Sequence, residues 1–128
     1  MAGTVVIDTL QSSTTSPVAF TNTNGTAIGT LCRAWVNFNG VTTASIRASF
    51  NVSSVTKTAT GIYTVSFANS MPDTNYAVIG SARITGASSI FMPYPDNVLT
   101  TSTVSVHSLV SNTGSGADGA YVYVGIFR

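Results

Sequence analysis

Residues 31–55 have the sequence LCRAWVNFNGVTTASIRASFNVSSV, and this stretch carries the strongest indication of the fold. From Cys32 to Phe38 every second residue is small or apolar, which is the period of a β-strand. Asn39 and Gly40 follow, and this pair tolerates the positive φ angles of a tight turn. The stretch therefore predicts a β-hairpin that bends into further strands.

The composition favours β-structure along the whole chain. The 128 residues include no Glu, one Lys and one Gln, whereas Thr, Ser and Val are abundant. Straight-chain helix formers are thus scarce and β-branched residues plentiful, so we expect an all-β protein. About seven strands separated by turn residues predict an antiparallel, jelly-roll-like β-sandwich.

The first 30 residues differ from the remainder. Their two short apolar segments are separated by loops and bury too little surface to be stable alone. We therefore predict an extended N-terminal docking arm at residues 1–30 and a β-sandwich body at residues 31–128. The apolar side chains by which the arm would dock are those of Val5, Val6, Ile7, Leu10, Val18 and Phe20.

The charge content limits the partners. Charged residues make up 7% of the chain, and the formal net charge is +1. We expect no nucleic-acid partner, because no basic patch for phosphates is evident. No apolar run approaches the length of a membrane span, so we expect no membrane insertion. Because a soluble monomer normally carries more charge, we infer that much of the surface is buried against other subunits.

Few residues are available for catalysis or metal binding. Asp73, Asp96 and Asp118 have neighbours typical of turns, where Asp is favoured for structural reasons. His107 is the single imidazole, and no Gly-x-Ser-x-Gly nucleophile motif is present, which favours a structural histidine. Cys32 lies on the apolar side of its strand, which favours a buried thiol. We expect no enzymatic activity, no cofactor and no metal, with three copies of His107 around a threefold axis as the alternative metal site.

A proline-stiffened segment, FMPYPDN at residues 91–97, is the candidate for surface recognition. Aromatic rings stack on the C–H faces of sugars, and amide or carboxylate groups bind hydroxyls, so the predicted ligand is a carbohydrate. The candidate receptor-contact residues are Phe91, Tyr94, Asp96 and Asn97, with Tyr76 nearby in the chain. The alternative is that these rings anchor the loop to the body. Trp35 is predicted to lie in the core or at an interface.

Four segments resemble a known family: AWVNFNG at 34–40, IRASFNVSSV at 46–55, GIYTV at 61–65 and MPDTNYA at 71–77. Together they are similar to a β-rich module of virion structural proteins in tailed bacteriophages, especially tail fibres of phages that infect marine bacteria and cyanobacteria. VVIDTLQ at 5–11 is more weakly similar to the segment that precedes this module.

The resemblance implies a virion location with assembly in the host cytoplasm, a homo-oligomer in the form of a trimer, contact with other virion proteins of the tail or capsid, and binding to a host surface glycan. The expected function is that of a non-enzymatic short tail fibre or fibre tip. Tail fibres usually carry an attachment domain and a long shaft before the module, and we expect residues 1–30 to dock in their place. The alternative is a capsid decoration (cement) protein on the head exterior.

Overall fold

The computed structural model describes residues 20–21, 23–29, 31–94 and 99–128. The chain divides into two units, residues 1–31 and residues 32–128. None of the described residues forms a helix that is long and apolar enough to cross a membrane.

The described part of the first unit is a two-stranded antiparallel sheet. It pairs β1 (Phe20–Thr21) with β2 (Ala27–Gly29). Gly25 lies between the two strands with a φ of +77°, a conformation that glycine adopts readily in turns. The other predicted arm residues lie outside the described residues, namely Val5, Val6, Ile7, Leu10 and Val18.

The described residues of the second unit form eight strands, and six of these start or end next to a Gly, Asn or Ser residue. They are β3 (Cys32–Asn39), β4 (Ser45–Phe50), β5 (Val52–Ala59), β6 (Ile62–Phe67), β7 (Ala77–Arg83), β8 (Ser89–Pro93), β9 (Thr103–Val110) and β10 (Tyr121–Phe127).

These strands form two four-stranded sheets. The first sheet has the order β4-β3-β10-β7, and the second has the order β5-β6-β9-β8. Every pairing is antiparallel, and three pairs join strands that follow one another in the chain. The prediction of an all-β antiparallel sandwich is therefore confirmed.

The core lies between the sheets and is supplied by alternate residues of the central strands. The ring of Phe38 from the first sheet meets that of Tyr63 from the second edge-on, with centroids 5.0 Å apart. The face predicted for β3 is confirmed, because its apolar alternate positions are buried, and the alternate positions of β6 are buried in the same way. The buried apolar residues are Ala34, Val36, Phe38, Tyr63, Val65, Phe67, Met71, Tyr76, Val104, Val106, Val122, Val124 and Ile126.

The loop after β3 differs from the predicted tight turn. The chain does reverse, but residues 40–44 separate β3 from β4, and the positive φ of 63° belongs to Thr42. Gly40 is needed for a different reason: a Cβ there would lie 2.3 Å from the Tyr63 hydroxyl oxygen. The close approach of Tyr63, and not a two-residue turn, explains this glycine.

Candidate functional site

Large apolar side chains are exposed on the outer face of the first sheet. Because side chains alternate along a strand, the residues between the core-facing positions of β3, β7 and β10 point away from the core, as does Phe50 of β4, which lies opposite Trp35. We call this surface the aromatic face and define it by Trp35, Phe50, Ile79, Tyr121 and Tyr123. The exposed fractions of these side chains range from 37% to 61%. A contiguous exposed apolar surface of this kind is typical of an interaction site.

The strand register leaves a hollow in the middle of this face. Trp35 lies opposite Phe50 on one side and opposite Gly125 on the other, and Gly125 lies opposite Ile79. Gly125 has no side chain, so the row is interrupted at its centre. A Cβ at this position would come within 3.3 Å of the Phe127 ring. The hollow thus depends on glycine.

The hollow has a volume of about 500 Å³, which is within the range of small-molecule sites. Tyr123 lies in the next row, between Asn37 and Ser81 on the neighbouring strands. The side chains around the hollow are apolar or uncharged, namely Trp35, Asn37, Ile79, Ser81, Tyr123 and Phe127.

Two arginines hold one end of the aromatic face. Arg47 Cζ lies 4.2 Å from the centroid of the Tyr121 ring, and Arg83 Cζ lies 5.7 Å from it. Arg47 Nη2 also donates a hydrogen bond of 2.8 Å to the Ala120 carbonyl. Tyr121 stacks on Tyr123 with 6.5 Å between ring centroids. These contacts fix the orientation of the exposed rings, since a cation over an aromatic face is attracted to it.

Two polar atoms of β3 lack a partner among the described residues. Arg33 Nη1 and Asn37 Oδ1 are shielded from solvent and make no hydrogen bond with that part of the chain. Each lies two residues from Trp35, so both side chains leave the strand on the aromatic face. A shielded polar atom without a partner costs about 1–3 kcal/mol. A bound molecule that let these side chains rotate and bond would recover part of that cost.

A separate polar cluster surrounds Asp118. Its Oδ2 accepts a hydrogen bond of 2.5 Å from Lys57 Nζ, and its Oδ1 accepts one of 2.9 Å from the Gly61 amide. Burial alone would raise the pKa of Asp118, but the hydrogen bonds from Lys57 and Gly61 lower that pKa overall. Burial raises the pKa of the nearby Tyr63 hydroxyl, which accepts a hydrogen bond of 3.1 Å from the Gly119 amide. The groups of this cluster satisfy one another, so its role is structural.

The predicted recognition loop is only partly described. Phe91 packs against the core, and its ring occupies the space in which a Gly80 Cβ would lie. Tyr94 packs edge-on against His107, with 5.3 Å between the ring centroids. Asp96 and Asn97 lie outside the described residues. The two described rings therefore make anchoring contacts with the body, which is the alternative that the sequence left open.

The remaining two aromatic candidates, Tyr76 and Trp35, lie in different environments. Tyr76 is buried, and its hydroxyl donates to the Thr100 carbonyl at 2.9 Å or the Thr103 carbonyl at 3.1 Å, so it cannot stack on a sugar. Placing Trp35 in the core is wrong, because it alternates with the buried residues of β3 and faces outward. Its role at an interface stays a prediction.

The polar candidates divide between turns and packing. Asp73 Oδ1 accepts a hydrogen bond of 2.8 Å from the Asn75 amide, which confirms its role in a turn. His107 is partly buried, and burial lowers its pKa. Within the described residues, no group of three or more His, Cys, Asp or Glu side chains is placed to hold a metal ion.

One feature of the sequence indicates the aromatic face, but strand periodicity alone does not identify all of its residues. In the sequence, residues 120–127 are apolar on both faces, which is typical of a strand that is central in a sandwich or lies at a subunit interface. The structure places β10 at the centre of the first sheet, with Tyr121 and Tyr123 exposed. Which residues join them depends on strand pairing between distant parts of the chain.

The fold and this surface together define a two-sheet antiparallel β-sandwich with an exposed aromatic face. Comparisons with protein-family models, with curated proteins and with solved structures found no significant match to the chain.

Proposed function

We propose that this protein is a non-enzymatic virion structural protein of a tailed bacteriophage, a short tail fibre or fibre tip that binds the host cell surface through its aromatic face. The observation that carries the proposal is the exposure of five large apolar side chains on one outer sheet face. The resemblance of segments between residues 34 and 77 to tail-fibre modules supplies the virion context and the trimeric state. The protein acts by adhesion and not by catalysis.

A capsid decoration protein is the second candidate. Phe50 and Ile79 are the most exposed members of the aromatic face, and neither side chain can hydrogen-bond a glycan. Such groups suit adhesion to the surface of a protein lattice, where apolar burial contributes most of the binding free energy.

Labelling of intact particles distinguishes the two candidates. Antibodies raised against residues 32–128, followed by immunogold electron microscopy, are expected to label the tail tip of phage particles. Quantitative mass spectrometry is expected to find tens of copies per particle or fewer. Label spread over the head with hundreds of copies would favour capsid decoration, and unlabelled particles would contradict both candidates.

Host binding is tested by competition. Purified protein is expected to slow adsorption of the phage to its host, and Trp35→Ser or Ile79→Ser is expected to abolish this competition. Thr56→Ala serves as the matched control, because Thr56 is exposed on the outer face of the second sheet. Equal competition by all variants would show that the aromatic face does not contact the host.

A further inference from the structure

The positive charge that is not neutralised within the described residues lies on the aromatic face. Ion pairs hold two of the cationic side chains, joining Lys57 to Asp118 and Arg128 to Asp73. The chain has five Lys and Arg residues. The other three, Arg33, Arg47 and Arg83, are not part of either ion pair. All three leave the first sheet on its outer side, because they share strand faces or ring contacts with Trp35 and Tyr121.

These arginines lie at the two ends of the face. Arg83 is opposite Tyr121 at one end of β10, whereas Arg33 precedes Ala34, which is opposite Ile126 at the other end. The five steps along β10 from Tyr121 to Ile126 span about 17 Å at about 3.4 Å per residue. The uncharged hollow at Gly125 lies between the two ends. The face thus has cations at both ends and apolar rings in the middle.

We infer that the aromatic face binds an acidic polysaccharide. Its acid groups meet the arginines, and its sugar rings lie over Trp35 and Tyr123 in the hollow at Gly125. Guanidinium groups form strong charge-assisted hydrogen bonds with carboxylates, and aromatic rings cover the C–H faces of sugars. The inference rests on the proposed function, since it names the ligand class of the same face.

The positions of the arginines on the aromatic face argue against two other ligands, single-stranded nucleic acid and a second copy of the chain. Single-stranded nucleic acid also combines anions with stackable rings, but it carries a phosphate at every nucleotide, and the side chains around the hollow provide no cation for the central ones. A second copy of this face would bring the arginines of both chains together, and like charges across an interface cost free energy. An acidic polymer with spaced charges complements the face best.

Trp35 reports binding directly, because it is the single tryptophan of the chain. We expect its fluorescence to change when the full chain is titrated with polygalacturonate at low salt. Fully methyl-esterified polygalacturonate, which has the same backbone without charge, is expected to bind at least about tenfold more weakly. The affinity for the acidic form is expected to fall as salt is added.

Matched variants locate the site. Arg33→Gln and Arg83→Gln are each expected to weaken polygalacturonate binding about tenfold. Arg128→Gln removes the same charge from a residue that is held in its own ion pair, and it is expected to leave the affinity within about twofold. Far-UV circular dichroism and urea midpoints verify that each variant is folded.

Four outcomes would overturn the inference. These are no fluorescence response to polygalacturonate, equal affinity for its ester, equal weakening by Arg128→Gln, and tighter binding of an oligothymidylate. If Trp35 fluorescence instead changed with protein concentration alone, and sedimentation equilibrium showed a matching rise in the mass of the protein, the face would be assigned to binding a second copy of the chain. None of these outcomes changes the immunogold result, so failure of this inference is distinguishable from failure of the proposed virion location.

Discussion

Asp118 shows how one side chain fixes two distant parts of the chain. Its carboxylate binds Lys57 on β5 and the Gly61 amide in the turn that follows, about 60 residues earlier in the sequence. We expect Asp118→Asn to lower the free energy of unfolding by about 1–3 kcal/mol at neutral pH, because partly buried donors lose a charged acceptor. Urea unfolding measures this change.

The same variant tests the pH dependence. The pKa of Asp118 is lowered in the folded protein from its ordinary value of 3.8, so its contribution is complete above that value and is lost as pH falls through the lower folded pKa. The difference between wild type and Asp118→Asn should therefore shrink in that acidic window. Asp73→Asn is the control, and its exposed pair with Arg128 should contribute less. Equal costs for both variants would contradict a special role for Asp118.

Asn51, at the bend between β4 and β5, also joins distant parts of the chain through its side chain. It has a φ of +54°, and its amide group donates to the Arg33 carbonyl at 3.1 Å and to the Asn69 carbonyl at 3.0 Å. We expect Asn51→Ala to destabilise the protein by about 1–3 kcal/mol, since it loses both hydrogen bonds and strains the backbone. Asn51→Gly keeps the backbone conformation and should cost less in the same urea assay. A larger cost for glycine would show that backbone strain is unimportant here.

At the scale of the strand, β3 separates two aromatic residues by face. Phe38 is fully buried, whereas Trp35 is 41% exposed. Phe38→Ala should therefore lower the free energy of unfolding by about 3–5 kcal/mol, because it leaves a cavity. Trp35→Ala should cost about 1 kcal/mol or less, because Trp35 lies on the outer face of the sheet and its removal leaves no cavity in the core. Similar costs for both, measured by urea unfolding, would mean that Trp35 is covered in solution.

Strand periodicity in the sequence is enough to identify the alternating residues of β3, β6 and β10, because alternation is a local property. It was not enough to predict the aromatic face, since Trp35, Phe50 and Ile79 meet only through cross-strand register. Sequence periodicity also did not show that Phe91 belongs to a strand. Phe91 pairs with Ser108 on β9, a strand distant in the sequence, and this pairing turns its ring toward the core.

At the scale of the whole molecule, the two outer faces differ in chemistry. The first sheet exposes aromatic rings and arginines, whereas the second has no arginine and presents the hydroxyls of Ser54, Thr56, Thr64 and Ser66 beside the exposed side chains of Ile90 and Met92. The formal net charge of +1 does not reveal this difference between the two faces. Cations inside and outside ion pairs contribute equally to the net charge. The expectation that no basic patch exists therefore needs refinement: the described cations outside ion pairs all lie on one face.

The division of the chain at Leu31 gives a prediction for the whole molecule. The second unit, residues 32–128, contains its own buried core, so a chain that lacks residues 1–30 should fold with an unchanged urea midpoint. If those residues are the docking arm, the shortened protein should keep the Trp35 fluorescence response to polygalacturonate and fail to join phage particles during infection. Mass spectrometry of purified particles measures its incorporation against that of the full chain. Full incorporation of the shortened protein would show that docking uses the sandwich itself.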